Sequence, residues 1–230
     1  MKIRVLSSDD VQKALPMVEA IEGMKRAYSR LSSGRVEMPL RSRVHVPEQE
    51  GVLLTMPAAL PDDSEMAVKF VTVFGKNPAR GFPLIHAAVL VLDTENGQIK
   101  ALMDGEVLTA VRTGAGVGAA TELLASTDAV SVGIIGSGKQ ACSQLDAVCT
   151  VRSIRQAWVY SPNPEHAQNF VEEMSGVGPI PKDIQAVTSS AEAVKNADIV
   201  CTATTSSTPV ISFKNLKQGA HINAVGSFQP

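Results

Sequence analysis

The sequence predicts an α/β protein in two halves: an N-terminal α+β domain with a mostly antiparallel sheet over 1–112, then a parallel-sheet domain over 113–230. Three observations carry this expectation. β-leaning segments separated by turn clusters fill 43–92. From 130 onward short apolar runs alternate with helical stretches, the signature of a parallel sheet wound on both faces. The turn between the first of those strands and its helix reads Gly136-Ser137-Gly138-Lys139-Gln140-Ala141.

The first element is a helix over 9–34, because Val11, Leu15, Val18, Ile21, Met24, Tyr28 and Leu31 recur three or four apart. Ser8 or Asp9 would cap it and Gly34 would end it. Strands are expected at 43–46, 51–56, 67–74 and 86–92, divided by turns at 47–51, 61–63 and 77–78. The run Thr94-Glu95-Asn96-Gly97 predicts a hairpin turn, since Asn-Gly readily takes positive φ. An Ala-, Gly- and Thr-rich helix over 108–125 can pack backbone-close to its neighbours, and it bridges the halves with a boundary near Thr113. Beyond it the expected strands are 130–135, 157–160, 184–187, 199–203 and 221–225, with helices at 139–150, 164–175 and 191–196. The chain ends just after a strand with no closing helix, so a natural continuation past Pro230 is expected.

Composition narrows the function. A net charge of -2 and the lack of any Lys/Arg cluster interleaved with aromatics argue against nucleic acid as a partner. The three cysteines, Cys142, Cys149 and Cys201, fit neither a metal nor a redox spacing and read as small buried hydrophobes, which suggests a reducing cytoplasm. Neither a signal peptide nor an apolar run of membrane-spanning length is present, so a cytoplasmic protein without membrane attachment is expected.

In the strand-turn-helix context the glycine motif reads as a Rossmann-type dinucleotide site. Gly136 permits the tight turn, Gly138 lets a pyrophosphate approach the helix N-terminus, and Ala141 lets helix and strand pack closely. The ribose-selecting position falls in Tyr160-Ser161-Pro162-Asn163, which offers neither an acid to favour NAD nor an Arg to clamp NADP; the cofactor is NAD or NADP, with NADP slightly favoured. Lys69 lies in an apolar strand, where desolvation lowers an ammonium pKa toward the range of proton transfer; the alternative is a strand-edge Lys reaching for water. Arg112 interrupts a small, apolar run and suits bidentate grip of a carboxylate, against structural pairing with Glu106 or Glu122. Arg41 and Arg43 share a face if extended, and one of them could bind substrate. His86 and His221 read as core residues, and no metal is expected.

These pieces together resemble the ornithine cyclodeaminase/mu-crystallin family along essentially the whole chain. The matching residues are Met56-Pro57-Ala58, Lys69, Met103-Asp104-Gly105, 109–113 with Arg112, the Gly136-Ser137-Gly138 loop and Asn223-Ala224-Val225-Gly226. The resemblance implies that Lys69 is catalytic and that Arg112, with Arg41 favoured over Arg43, binds the substrate carboxylate. It implies cofactor contacts at Thr113, at Gly136 to Gly138 with Gln140 and Ala141, at Ser161 and Asn163, at Thr202, Ala203 and Thr204, and at Val225. It also implies a homodimer formed through the first half, and relatives that run on past the equivalent of Pro230. Ornithine cyclodeaminases carry an Asp two residues after the glycine of Asn-Ala-Val-Gly, whereas Ser227 and Phe228 stand here, which argues against cyclodeamination. The expected activity is NAD(P)-dependent reduction of a small α-imino acid, of ketimine or pyrroline-2-carboxylate type, or the reverse oxidation. Ornithine cyclodeaminase, alanine dehydrogenase and a non-catalytic NADPH-binding protein are the rivals.

Overall fold

A computed structural model describes residues 2–61 and 64–226. The chain divides into two compact units, Met1–Pro16 with Arg26–Thr109 and Met17–Lys25 with Ala110–Pro230.

The N-terminal periodic segment forms two helices, not one: α1 (Ser8–Ala14) and α2 (Met17–Ser32). Pro16 separates them, because proline donates no hydrogen bond and clashes with the preceding turn. The cap is Ser7, one residue ahead of the expected pair. Its Oγ accepts the Asp10 N–H at 3.3 Å while the Asp10 carboxylate accepts the Ser7 N–H at 2.9 Å, a reciprocal capping box. Val11 and Ile21 are buried as the periodicity predicts, but Val18, Tyr28 and Leu31 remain exposed.

The first unit is built on a six-stranded sheet of β1 (Arg4–Leu6), β2 (Ser42–Val46), β3 (Gly51–Leu60), β4 (Glu65–Phe74), β5 (Ile85–Asp93) and β6 (Ile99–Asp104), in the order β1-β6-β5-β4-β3-β2. All neighbours are antiparallel except β1, which lies parallel to β6. The sequence reading missed these two strands. β1 is only three residues long, and β6 (IKALMD) is short and carries charges at Lys100 and Asp104. The 94–97 hairpin closes as expected: Gly97 takes φ +74°, and its N–H donates to the Asp93 carbonyl at 2.9 Å. The turn at 61–63 lies partly outside the described residues.

The helix α3 (Gly105–Leu124) leads into the second unit. There β7 (Ser131–Ile135), α4 (Lys139–Val151), β8 (Gln156–Tyr160), α5 (Pro164–Met174), β9 (Ile184–Ala186), α6 (Ser190–Lys195), β10 (Ile199–Ala203) and β11 (His221–Val225) follow in turn. The five strands are all parallel, in the order β11-β10-β7-β8-β9. Side-chain alternation buries both faces. Val132, Ile134, Ile199 and Cys201 pack with Ala141, Leu145, Val148 and Phe170, while Ile135 and Val200 pack with Ala193 and Val194 of α6.

Small residues and two polar anchors fix the helices of this unit. A Cβ on Gly114 would overlap the Ser143 carbonyl of α4, so α3 passes α4 at backbone distance, and one on Gly118 would stand 2.7 Å from the Ile21 side chain of α2, which packs into the space the glycine leaves. The Arg152 guanidinium donates to the carbonyls of Thr121, Glu122, Ala125 and Ser126 at 2.9–3.0 Å, satisfying the C-terminal end of α3. The second anchor is the Asp198 carboxylate, which accepts from the N–H groups of Val130 and Ser131 at 3.0 and 3.1 Å, from Ser131 Oγ at 2.8 Å and from the Lys217 ammonium. Burial pushes the Asp198 carboxyl pKa up, but these donors outweigh it and hold it at about 2.

Candidate active site

In a doubly wound sheet, ligands bind at the carboxyl ends of the strands where the strand order reverses, which here is between β7 and β10. Gly136 leaves β7 at φ +104°, and a Cβ there would overlap the Ala203 carbonyl at the end of β10, so only glycine fits. Its N–H donates to the Tyr160 carbonyl of β8 at 2.8 Å. Gly138 differs: its backbone is extended, it caps α4 without a side chain, and nothing lies within 4 Å of where a Cβ would stand. The approach to the first turn of α4 is therefore open, as a pyrophosphate bound at a helix N-terminus requires. Ala141 is fully buried against Val132 and Ile134, the close helix–strand packing inferred from the motif. The residues present fit a dinucleotide.

The other sequence-derived cofactor positions gather at the same strand ends, with mixed roles. Ser161 follows β8 and is buried, while the Asn163 side chain caps α5 by accepting the Glu165 N–H at 3.0 Å. Thr202 Oγ1 donates to the Val225 carbonyl at 3.1 Å, joining β10 to β11. Sequence reasoning did not single out Gly226 as a site residue. It has φ +101°, and a Cβ on it would stand 2.6 Å from the Thr204 carbonyl, so the ends of β10 and β11 also approach at backbone distance. A glycine directly after a strand was the available signal. Asn223, from the same tetrapeptide, is buried and structural: Nδ2 donates to Thr121 Oγ1 at 3.0 Å, tying β11 to α3.

Arg112 and Thr113 belong to the second unit, on α3 immediately before the Gly114 crossing; Arg112 is exposed and Thr113 half-buried. Of the two acids weighed as partners for Arg112, Glu122 is held by the Lys25 ammonium at 2.7 Å. Lys69 lies in the first unit, half-buried on β4 between Met56 and Val89. Val89 pairs in turn with Met103, so Met56, Val89 and Met103 surround the Lys69 position on one face of the sheet. Arg43 pairs with Leu54, two residues before Met56, and shares that face; Arg41 comes directly before the Ser42–Thr55 pair and is exposed. Each unit therefore gathers its own group: Lys69 with Arg41 and Arg43 in the first, Arg112 and Thr113 with the glycine turn in the second.

His86 is not a core residue. Its side chain is 54% exposed and stands 3.8 Å from the Glu106 carboxylate, because β5 turns it to the open face of the sheet beside Thr72. His221 is half-buried beside Asn223 Oδ1 at 3.2 Å. Among the described residues no group of three or more His, Cys, Asp or Glu is placed to hold a metal, and no helix is long and apolar enough to cross a membrane. Cys149 and Cys201 are buried, which pushes both thiols up to about 12, whereas Cys142 is only half-buried.

The model of the ornithine cyclodeaminase/mu-crystallin family matches residues 1–230. The chain belongs to that family. Δ1-Pyrroline-2-carboxylate reductase of Bacillus cereus is 35% identical over 226 residues, covering 98% of this chain and 69% of the relative. Ketimine reductase mu-crystallin of Rattus norvegicus is 32% identical over 229 residues, covering 98% and 71%. Among solved structures, Thermococcus litoralis Δ1-pyrroline-2-carboxylate reductase, in complex with NADH and L-proline, superposes with a TM-score of 0.88 at 41% identity, over 96% of this chain and 68% of that one. An archaeal alanine dehydrogenase dimer with bound NAD also reaches 0.88, at 30% identity over 98% and 68%. The position two residues after Gly226, which distinguishes cyclodeaminases, lies outside the described residues.

Proposed function

We propose that this chain is an NAD(P)H-dependent reductase of a small α-imino acid, of ketimine or pyrroline-2-carboxylate type, acting at the C=N bond. The observation that carries the reading is the glycine turn at the switch point of a doubly wound sheet, in a family member whose relatives at 35% and 41% identity are pyrroline-2-carboxylate reductases. The relative solved with NADH and L-proline supports a nicotinamide cofactor and an α-amino or α-imino acid ligand.

When bound, the reduced nicotinamide supplies the hydride. The chain's own residues bind and orient. Gly136 and Gly138 admit the pyrophosphate to the α4 N-terminus, and Ala203, Thr204 and Val225 line the neighbouring strand ends. Arg112 in the second unit and Arg41 in the first are each candidates for the substrate carboxylate, whose two oxygens match a guanidinium fork. Lys69 holds a proton at the imine nitrogen, which makes the C=N carbon electrophilic; that carbon gains a hydride and the nitrogen keeps the proton as the double bond becomes single. Positioning by such a guanidinium fork supplies several kcal/mol of the acceleration, on the order of what intramolecular reactions gain.

The active form is a homodimer. Val5, Val44 and Leu102 are exposed apolar residues, and the strand register places all three on the sheet face opposite Lys69. An exposed apolar sheet face is a surface to be covered, and a second copy covers it in the way the archaeal relative's dimeric state suggests.

The test is a panel of cyclic imines and α-amino acids assayed with both nicotinamide cofactors, beside the Lys69→Ala variant. Imine-dependent oxidation of NADH or NADPH is expected, lost in Lys69→Ala while cofactor binding persists. Undiminished turnover in the variant refutes the role of Lys69, and proline formed from ornithine without net cofactor use refutes the reductase reading.

A further inference from the structure

Two glutamines stand in a seam that is otherwise lined by small and apolar groups. Gln144 of α4 is fully buried, and neither its Nε2 nor its Oε1 has a hydrogen-bond partner among the described residues. The buried Oε1 of Gln140, one helical turn earlier, is unpartnered as well. Ser143 and Ala147 of α4 meet Gly114 and Gly118 of α3, while Ala141, Leu145 and Val148 pack into the sheet core. At 3.6 residues per turn, Gln144 lies in the angle between these two directions, with Gln140 on the same side. The two helices run parallel here, since 114 meets 143 and 118 meets 147. The Gln140 end of the seam therefore carries Arg112 and Thr113 on one helix and the glycine turn on the other.

A buried amide without partners is destabilising, and an apolar residue of similar size would be tolerated or preferred there. Buried polar groups left over by the fold are ordinarily satisfied by internal water, which makes about three hydrogen bonds to them. A rule of core packing broken beside a site points to function. We infer that Gln140 and Gln144 together hold an internal water in the corner between α3, α4 and the sheet, and that this hydrated pair fixes Arg112 and Thr113 relative to the glycine turn. Gln144 is thus a positioning residue of the reductase site, and the inference rests on the reductase reading. Because α4 is held on β7 through Ala141 and Leu145, loss of the pair moves α3 and leaves the cofactor turn in place.

Two experiments test this. A crystal structure of the protein grown with NADH, at a resolution that shows ordered water, should carry density for a water within about 3.2 Å of a Gln144 amide atom and of Gln140 Oε1; continuous packing there with no density overturns the proposal. The second is Gln144→Met, which keeps the length of the side chain and removes its hydrogen bonding. The expected result is an imino-acid KM raised about tenfold, the effect of one lost hydrogen bond, with NADH Kd unchanged and Tm equal or higher. Gln144→Glu, assayed at about pH 6 where burial keeps the carboxyl protonated, should recover most of the loss. An unchanged KM with a raised Tm makes Gln144 a tolerated packing residue and overturns the proposal, as does a parallel rise in NADH Kd. Should Gln144→Met fail to fold, the density in the unaltered protein decides. Absence of imine reduction by the unaltered protein defeats the reductase reading itself and leaves the water site separately readable.

Discussion

Gly136 and Gly138 lie two residues apart in one turn, yet the structure assigns the same substitution opposite consequences at each. Gly136→Ala places a Cβ at φ +104° and against the Ala203 carbonyl. The conformation costs about 1–3 kcal/mol and the overlap about as much again, a large part of the roughly 5–15 kcal/mol that holds a domain together. Gly138→Ala meets nothing within 4 Å, and its φ of -88° suits alanine, so the folded chain gains about 0.4–1 kcal/mol from a less flexible unfolded state. The new methyl group instead occupies the approach to the first turn of α4. Each charge-assisted hydrogen bond it denies the pyrophosphate is worth about 1.5–3 kcal/mol, so NADH Kd rises by about tenfold to a hundredfold. The assay pairs thermal denaturation with fluorescence titration of NADH. Gly136→Ala should lose stability and binding together, and Gly138→Ala should lose binding alone. Tight NADH binding by Gly138→Ala would refute the placement of the pyrophosphate.

Three further outcomes are expected. The Asp198 carboxyl, held at about 2 against an ordinary 3.8, contributes stability that is present above about pH 4 and lost as pH falls through about 2; Asp198→Asn should flatten acid denaturation in that window by about 1–2 kcal/mol, after allowance for screening at the half-exposed Lys217. Gly114→Ala forces α3 off the Ser143 carbonyl, and chemical denaturation should show a loss of about 1–3 kcal/mol or more; an unaltered midpoint would disprove the close crossing. Ser161→Asp places a carboxylate where the ribose 2′ position is read, and steady-state kinetics should show the ratio of NADPH KM to NADH KM rising about tenfold or more; an unmoved ratio would place the adenosine ribose elsewhere.

The second unit was legible in outline because its signals are local. Short apolar strands alternating with helices gave all five strands to within a residue or two, and Gly136, Gly138 and Ala141 state their steric purposes through spacing alone. The first unit was less legible. Apolar periodicity ran through Pro16 and suggested one helix where there are two, and β1 and β6 are too short or too charged to announce themselves. His86 looked like a core residue because its neighbours in sequence are apolar, yet period-two alternation puts it on the open face.

By itself the sequence determined the secondary-structure rhythm, the dinucleotide turn and the family, since each depends on residues a few positions apart. Only the tertiary structure decided that β10 comes to lie beside β7 and makes Gly136 irreplaceable, that Asn163 caps α5 and Asn223 braces α3, and that Gln144 is buried with no partner. The Asn163 cap joins residues two apart, but the contacts of Gly136 with Ala203 and of Asn223 with Thr121 join atoms dozens of residues apart, brought together by strand order and helix packing, and no local pattern encodes them.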